Sequence, residues 1–318
     1  MVTHPQSSDF LKSPTASTLV AGDLEAVFLP AHGMLGASLR HRGVEILRRV
    51  DDLEAAAARG SSAGIPLLYP WANRLGGPRY RVAGKEVVLD VSSPLLHLDE
   101  HGLPMHGVPW SLLPWVVTEA RQDFVTARLE WSTSDLLAVF PFRHRVELSA
   151  ILRPDGLTLE TTMVASSEGP VPVSFGFHPY LGFPEPSRAK WQLELPATRK
   201  LVLDGHGIPT GDEEPFGGFS AELGESSFDD GFALIEERTS FSVAGAGCRV
   251  TVDLLEGYRY AQVFAPKDKD YIALEPMTAP TSALTSGRGL RVIAAGERFR
   301  AVFRIRIDRS NAADAQLK

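Results

Sequence analysis

The sequence predicts an all-β protein folded as one large antiparallel β-sandwich with few short helices. Three observations carry that expectation. Apolar residues recur with a period of two over most of the chain, where an amphipathic helix would repeat them about every 3.6 residues. The 28 Gly and 23 Pro are spread along the 318 residues as turn signals and collect in no linker. Hydrophobic residues at 44% against 22% charged supply a packed core and exclude disorder for most of the chain. No internal repeat divides it, so residues 1 to 318 are expected to form a single domain, with loose polar ends at about 1 to 15 and 309 to 318.

The elements follow in order. "DDLEAAAARG" (51 to 60) is the one convincing helix candidate, with acids at its start and Gly60 after its end. "RYRVAGKEVVLD" (79 to 90) predicts a tight hairpin turning at Ala83 and Gly84. "FVTARLEW" (124 to 131) alternates as a strand. In "RVELSAIL" (145 to 152) Val146, Leu148, Ala150 and Leu152 point inward, "RPDG" turns the chain, and Leu157, Leu159, Thr161 and Met163 resume the alternation. "CRVTVDLL" (248 to 255) alternates likewise. The last strand, "FRAVFRIRI" (299 to 307), sets Phe299, Ala301, Phe303, Ile305 and Ile307 on a core face and Arg300, Arg304 and Arg306 on a wet one.

Charge and cysteine content exclude several classes of function. A formal charge of -7 with no Lys/Arg-rich block argues against nucleic acid, and the short "ILRRV" (46 to 50) is best read as solvated surface. The single Cys248 cannot form an internal disulfide, and it sits in a strand pattern that suits a small packing residue better than a nucleophile. The opening segment lacks a basic and an apolar region, so a cytoplasmic location is expected. No apolar run approaches the roughly 18 residues of a membrane span. "HLDEH" (97 to 101) pairs two histidines at i and i+4, but Pro94, Gly102 and Pro104 argue against the helix that a zinc site would need. There is no G-x-S-x-G elbow and no phosphate loop, and "GAGC" (245 to 248) leads into a strand where a dinucleotide loop must open a helix.

What remains is a polar set held in aromatic and proline-bounded loops: "YPWANRLGG", "LPMHGVPW", "FGFHPYLGFP", "FDDGF" and "ALEPMTAPTSAL". Sugars need that mixture, because hydroxyls require directed donors and acceptors while C–H faces pack on rings. His178 precedes Pro179 and Glu275 precedes Pro276, so both project from backbone that the following proline stiffens. Fixed on opposite sides of a pocket they make a natural acid and base pair. Taken singly, each residue has an ordinary explanation: His178 a buried histidine bonded to backbone, Glu275 a surface carboxylate, Asn73 and Arg74 a turn with a salt bridge. Their joint appearance favours a site.

At these residues the chain resembles the aldose 1-epimerases, the galactose mutarotase family. The resemblance rests on "NRLGG", "PMHG", "FHPYLGF", "FDDGF" and "LEPMTAP" in that order and runs from about residue 30 to the C-terminal strand. It implies a galactose mutarotase-like β-supersandwich with no metal and no organic cofactor. It also implies Glu275 as the general base at the C1 hydroxyl and His178 as the general acid at the ring oxygen. Asn73, Arg74, His106, Asp229 and, as a weaker match, Gln262 fall on substrate-binding positions, Asp229 being favoured over Asp230 by its spacing to Phe232. His178 is then expected to be partly buried and protonated in its working state, facing Glu275 across a sugar-sized cleft. The expected partner is a small-molecule sugar, with no nucleic acid and no membrane, taken by a monomer or a weak homodimer.

The sequence departs from the family at Gly182, where many relatives carry Asn, and at Thr281 and Ser282, which replace a commoner Pro-Asn pair. These departures bear on which sugar is used more than on the reaction. The leading expectation is an isomerase interconverting the anomers of free aldohexoses. One alternative is a hexose-phosphate 1-epimerase, for which Arg79 or Arg81 near Arg74 could supply the cations. The other is a non-catalytic carbohydrate-binding protein on the same fold, against which the presence of both His178 and Glu275 argues. A glycosidase would instead need two carboxylates roughly 5–9.5 Å apart.

Overall fold

The computed structural model describes residues 16–50 and 63–309 of the chain. The helix candidate at 51 to 60 lies outside the described residues, as do 1–15 and 310–318 of the ends expected to be loose. Arg309 instead closes the strand Arg298–Arg309.

Strands form two large antiparallel sheets and several small ones. The first sheet has nine strands, in the order Val116–Arg121, Phe124–Trp131, His144–Arg153, Gly156–Ala165, Arg298–Arg309, Cys248–Glu256, Thr239–Gly245, Gln192–Leu195 and Phe219–Glu222. The second runs Pro209–Phe216, Thr198–Leu203, Phe228–Ala233, Tyr260–Ala265, Ile272–Met277, Gly176–Phe177 and Leu67–Leu68, with Tyr180–Leu181 also paired to Ile272–Met277. Their facing sides share one apolar core, in which Phe177 of the second sheet meets Phe303 of the first at 5.0 Å between ring centroids.

The period-two reading is visible strand by strand. Val146, Leu148, Ala150 and Leu152 are buried, as are Leu157, Leu159, Thr161 and Met163, and Arg153 pairs Gly156 around the Pro154–Asp155 turn. Each of the larger aliphatic side chains contributes about 1.5–3 kcal/mol by leaving water. Phe299, Ala301, Phe303, Ile305 and Ile307 are buried in the same way, while Arg300 pairs with Glu160 and Glu256 on the outer face. The 79 to 90 hairpin turns at Ala83 and Gly84, both left-handed as a tight hairpin of this type requires.

Two features depart from the sequence reading. Residues Val250 to Leu254 are buried on both faces, because Arg306 lies over the outer side with its Nε donating to Asp253 Oδ2 at 2.6 Å. A short helix, Ser134–Val139, was not anticipated. Its signal was local: Thr133 caps it by accepting from the Leu136 N–H, and Asp135 stands in its first turn.

Buried beside Trp131, His144 bonds at Nε2 with the Tyr69 hydroxyl and donates from Nδ1 to the Phe142 carbonyl. Burial holds this ring neutral and draws its pKa down to about 4. The unfolded chain therefore binds a proton near pH 6.5 that the folded chain refuses, so this contribution is complete above about 6.5 and is lost as pH falls toward 4. Denaturant unfolding should show stability falling by on the order of 3 kcal/mol over that window from this group. His144→Gln, which keeps a partner for Tyr69, should flatten the acid slope.

Candidate active site

Strand pairing in the second sheet sets the reacting pair. Gly176 lies opposite Met277 and Tyr180 opposite Ala273, so the register places His178 opposite Glu275. Gly176 is needed for that approach, since a Cβ there would stand 2.7 Å from the Pro276 carbonyl oxygen. Alternation does the rest. Ile272 and Leu274 point into the core, and Glu275 points to the outer face of the sheet. On the neighbouring strand Gln262 pairs directly with Glu275, while Ala261, Val263 and Ala265 go to the core. Asp229 lies on the same face and accepts from Gln262 Nε2 at 2.7 Å, whereas Asp230 pairs with Lys200 and does not line the cleft.

The resulting cleft holds about 510 Å³ and is lined by all seven residues nominated in the sequence: Asn73, Arg74, His106, His178, Asp229, Gln262 and Glu275. A somewhat larger one, about 580 Å³, is lined by Arg259, Arg291, Arg298 and Arg300 with Glu237 and Glu256. It has no His–carboxylate pair, and its Arg300 is committed to Glu160 and Glu256.

His178 and Glu275 stand side by side, Nε2 to Oε1 at 3.2 Å, which corrects the expectation of opposite walls. Neither is a surface group; only 6% of His178 and 3% of Glu275 is exposed. Burial, assisted by the Asp229 charge and opposed by Arg74, raises the Glu275 carboxyl well above its ordinary value. Burial also draws His178 down to about 3, its own backbone partly offsetting this and Arg48 adding to it. Among the described residues Nδ1 of His178 has no hydrogen-bond partner. Burial thus favours a neutral ring and a protonated carboxyl in the unliganded cleft, a net-neutral pair that can share one proton.

A second wall comes from two loops locked to each other. Asn73 and His106 both adopt left-handed backbone, with φ of 57° and 61°. The His106 N–H donates to the Asn73 carbonyl at 2.9 Å, and the Asn73 N–H donates to His106 Nδ1 at 3.1 Å. Burial, with the Arg74 charge adding to it, draws the His106 pKa well down, and a neutral ring that accepts at Nδ1 carries its hydrogen on Nε2. Ser282 braces this wall from behind, accepting from the Gly76 N–H at 2.9 Å and donating its own N–H to the Arg74 carbonyl. Thr281 and Ser282, the departure noted above, thus do not line the cleft. At Gly182 a Cβ would stand 2.9 Å from the Asp270 carbonyl oxygen, so this glycine serves close packing behind Tyr271.

Sequence reasoning missed several contributors. Asp99, whose side chain is fully buried, accepts from Arg74 Nε at 2.7 Å and from the N–H groups of His101 and Leu103. Burial works against its charge, but these donors outweigh it and hold the carboxyl below its ordinary range. It belongs to "HLDEH", where His97 lies on a short strand and His101 in the turn after it, not on one helix face. Arg48, read as solvated surface, lines the cleft, as do Tyr180, Phe264, Lys269 and Tyr271. Tyr180 stacks on the His178 ring at 4.1 Å and 22°. Arg79 and Arg81 are exposed on their hairpin and do not line it.

Comparison with known proteins identifies the fold and the family. The chain is 25% identical over 265 residues to the Escherichia coli protein YihR, described as uncharacterized, covering 75% of this chain and 77% of that one. A galactose mutarotase-like protein of Clostridium acetobutylicum shares the fold with a TM-score of 0.81 at 20% identity, over 92% of this chain and 95% of that one. A galactose 1-epimerase of Lactobacillus acidophilus shares it with a TM-score of 0.72 at 14% identity, over 92% and 94%. No helix among the described residues is long and apolar enough to cross a membrane. The aldose 1-epimerase family model matches residues 18–306, nearly the whole fold and every residue of the cleft, and the chain belongs to that family of isomerases.

Proposed function

We propose that the protein interconverts the α and β anomers of an aldohexose in its pyranose form, with His178 and Glu275 as acid and base. The contact of a buried imidazole and a buried carboxyl at 3.2 Å carries this reading. The two oxygens that exchange protons in ring opening, O1 and O5, are bonded to the same carbon, so they require acid and base side by side. Glu275 as carboxylate accepts the O1 proton while His178 as imidazolium delivers one to O5. The C1–O5 bond breaks as the C1=O1 bond forms, leaving a free aldehyde. Rotation about C1–C2 and the reverse transfers close the other anomer. The pair has the same net charge whether its proton lies on Glu275 or on His178, so arming it requires only an internal proton shift once sugar hydroxyls replace water. His106 Nε2–H, Asn73, Arg74, Gln262 and Asp229 supply donors and acceptors for the hydroxyls, and Phe264 and Tyr180 supply apolar surface for C–H faces.

The test is saturation transfer at anomeric equilibrium. Irradiating the α anomeric proton of an aldohexose should attenuate the β signal in proportion to enzyme, and binding without such transfer would point to a carbohydrate-binding protein instead.

The proton accounting has its own check. In the unliganded protein the ring nitrogens of His178 should keep the neutral pattern in ¹H–¹⁵N spectra as pH falls through about 6.5, where an ordinary histidine titrates. Protonation should come only as pH approaches about 3. A midpoint near 6.5 would contradict the net-neutral pair.

A further inference from the structure

The arginine-lined groove of about 580 Å³ shares no residue with the cleft. It forms where three connections pass between the two large sheets. Glu237 lies between Phe228–Ala233 and Thr239–Gly245, Arg259 between Cys248–Glu256 and Tyr260–Ala265, and Arg291 between Ile272–Met277 and Arg298–Arg309. Arg298 and Arg300 enter from the start of that final strand. Further along it the arginines are paired, Arg304 with Asp155 and Arg306 with Asp253, and in the groove Arg300 holds Glu160 and Glu256. Arg259, Arg291 and Arg298 differ. Among the described residues none of the three has a carboxylate partner, and Arg291 lies over the Phe299 ring with its Cζ 5.3 Å from the centroid. With Glu256 held by Arg300, Glu237 is the acid left to set against these three guanidiniums, so the groove carries two net positive charges in a chain of net charge -7. Like charges around one groove repel, and an oxyanion that enters removes the repulsion.

The floor of the groove reaches the reacting pair. Thr278 lines it, and both the N–H and the Oγ1 hydroxyl of Thr278 donate to the Phe175 carbonyl, at 2.9 and 2.8 Å. Thr278 lies three residues after Glu275 and Phe175 three before His178, so one groove residue ties together the two strands that carry the pair. We propose that the groove binds a small oxyanion of two or more negative charges, a phosphoryl or polycarboxylate compound, and that its occupancy is transmitted to His178 and Glu275 through Thr278. Guanidinium forks match either group with paired charge-assisted bonds. By linkage, whatever the oxyanion does to sugar affinity the sugar does equally to the oxyanion.

The experiment titrates the sugar-free protein with pyrophosphate and, separately, with citrate at one fixed ionic strength, reading heat by calorimetry and the ring nitrogens of His178 by ¹H–¹⁵N spectra. Saturable one-to-one binding is expected, and the tighter probe tells a phosphoryl source from a carboxylate one. The His178 signals should move along the same curve. Arg259→Gln and Arg298→Gln, both exposed side chains, should each weaken binding about tenfold or more and shift the His178 curve with it. Arg81→Gln, an exposed arginine outside the groove, should change neither. Binding that the groove variants leave unchanged would place the anion elsewhere and overturn the proposal. So would failure of both probes to saturate, or saturation with His178 unmoved. No arm measures anomer exchange, so these results stand or fall apart from the epimerase reading.

Discussion

Replacing Glu275 by Gln is expected to lower kcat for anomer exchange by about 10³, within the 10²–10⁴ that a positioned acid or base contributes. His178→Asn should fall in the same range. Because the two groups pass protons as a unit, the double variant should be little worse than the more severe single one. KM should change little in Glu275→Gln, since the amide keeps the shape of the side chain. A second readout separates loss of chemistry from loss of fold. The folded pKa of Glu275 is raised, so its contribution to stability is complete below the unfolded value and is lost as pH rises through the folded one. The neutral amide avoids that loss, and Glu275→Gln should melt above the native protein at neutral and alkaline pH. An inactive variant that is more stable cannot be inactive through misfolding.

The second large effect concerns a residue that touches no sugar. Asp99→Ala removes the acceptor for Arg74 Nε and for two backbone N–H groups, and leaves a nearly buried guanidinium without its main counter-charge. Breaking such a pair from one side costs about 3–5 kcal/mol. The 97 to 106 loop and the Asn73–Arg74 wall should loosen together, so KM is expected to rise more than tenfold with a smaller change in kcat. Asp99→Asn, which keeps the volume and one acceptor, should recover part of the stability and less of the KM. Thermal unfolding beside steady-state exchange kinetics measures both.

Much of this architecture was legible because its causes are local. Alternation in the 145 to 164 hairpin and in the final strand needs only a sheet with one wet face. The left-handed turn at Ala83 and Gly84 is written in two residues. The aromatic and proline-bounded loops also pointed to the seven residues that line one cleft. What was not legible depends on register and packing between distant segments. That His178 stands beside Glu275, and not across from it, follows from the pairing of residues 176 to 181 with 272 to 277, nearly a hundred positions away. Arg48 looked like surface because its tyrosine neighbours lie at 180 and 271. Asp99 was hidden by two histidines that drew attention to metal. Arg79 and Arg81 show the converse, since nearness to Arg74 in sequence did not bring them into the cleft. The helix at 134 to 139 was missed although its cap was in plain view, six residues being too short for a helical period to emerge.

The most direct test of the central claim is polarimetry of freshly dissolved α-aldohexose, covering α-D-glucose, α-D-galactose and phosphorylated forms, with the intact protein at fixed pH. Rotation should decay to the same equilibrium value as the uncatalysed solution, at a rate that rises linearly with protein. A decay indistinguishable from the uncatalysed one for every sugar would contradict the assignment of His178 and Glu275 as a working acid and base.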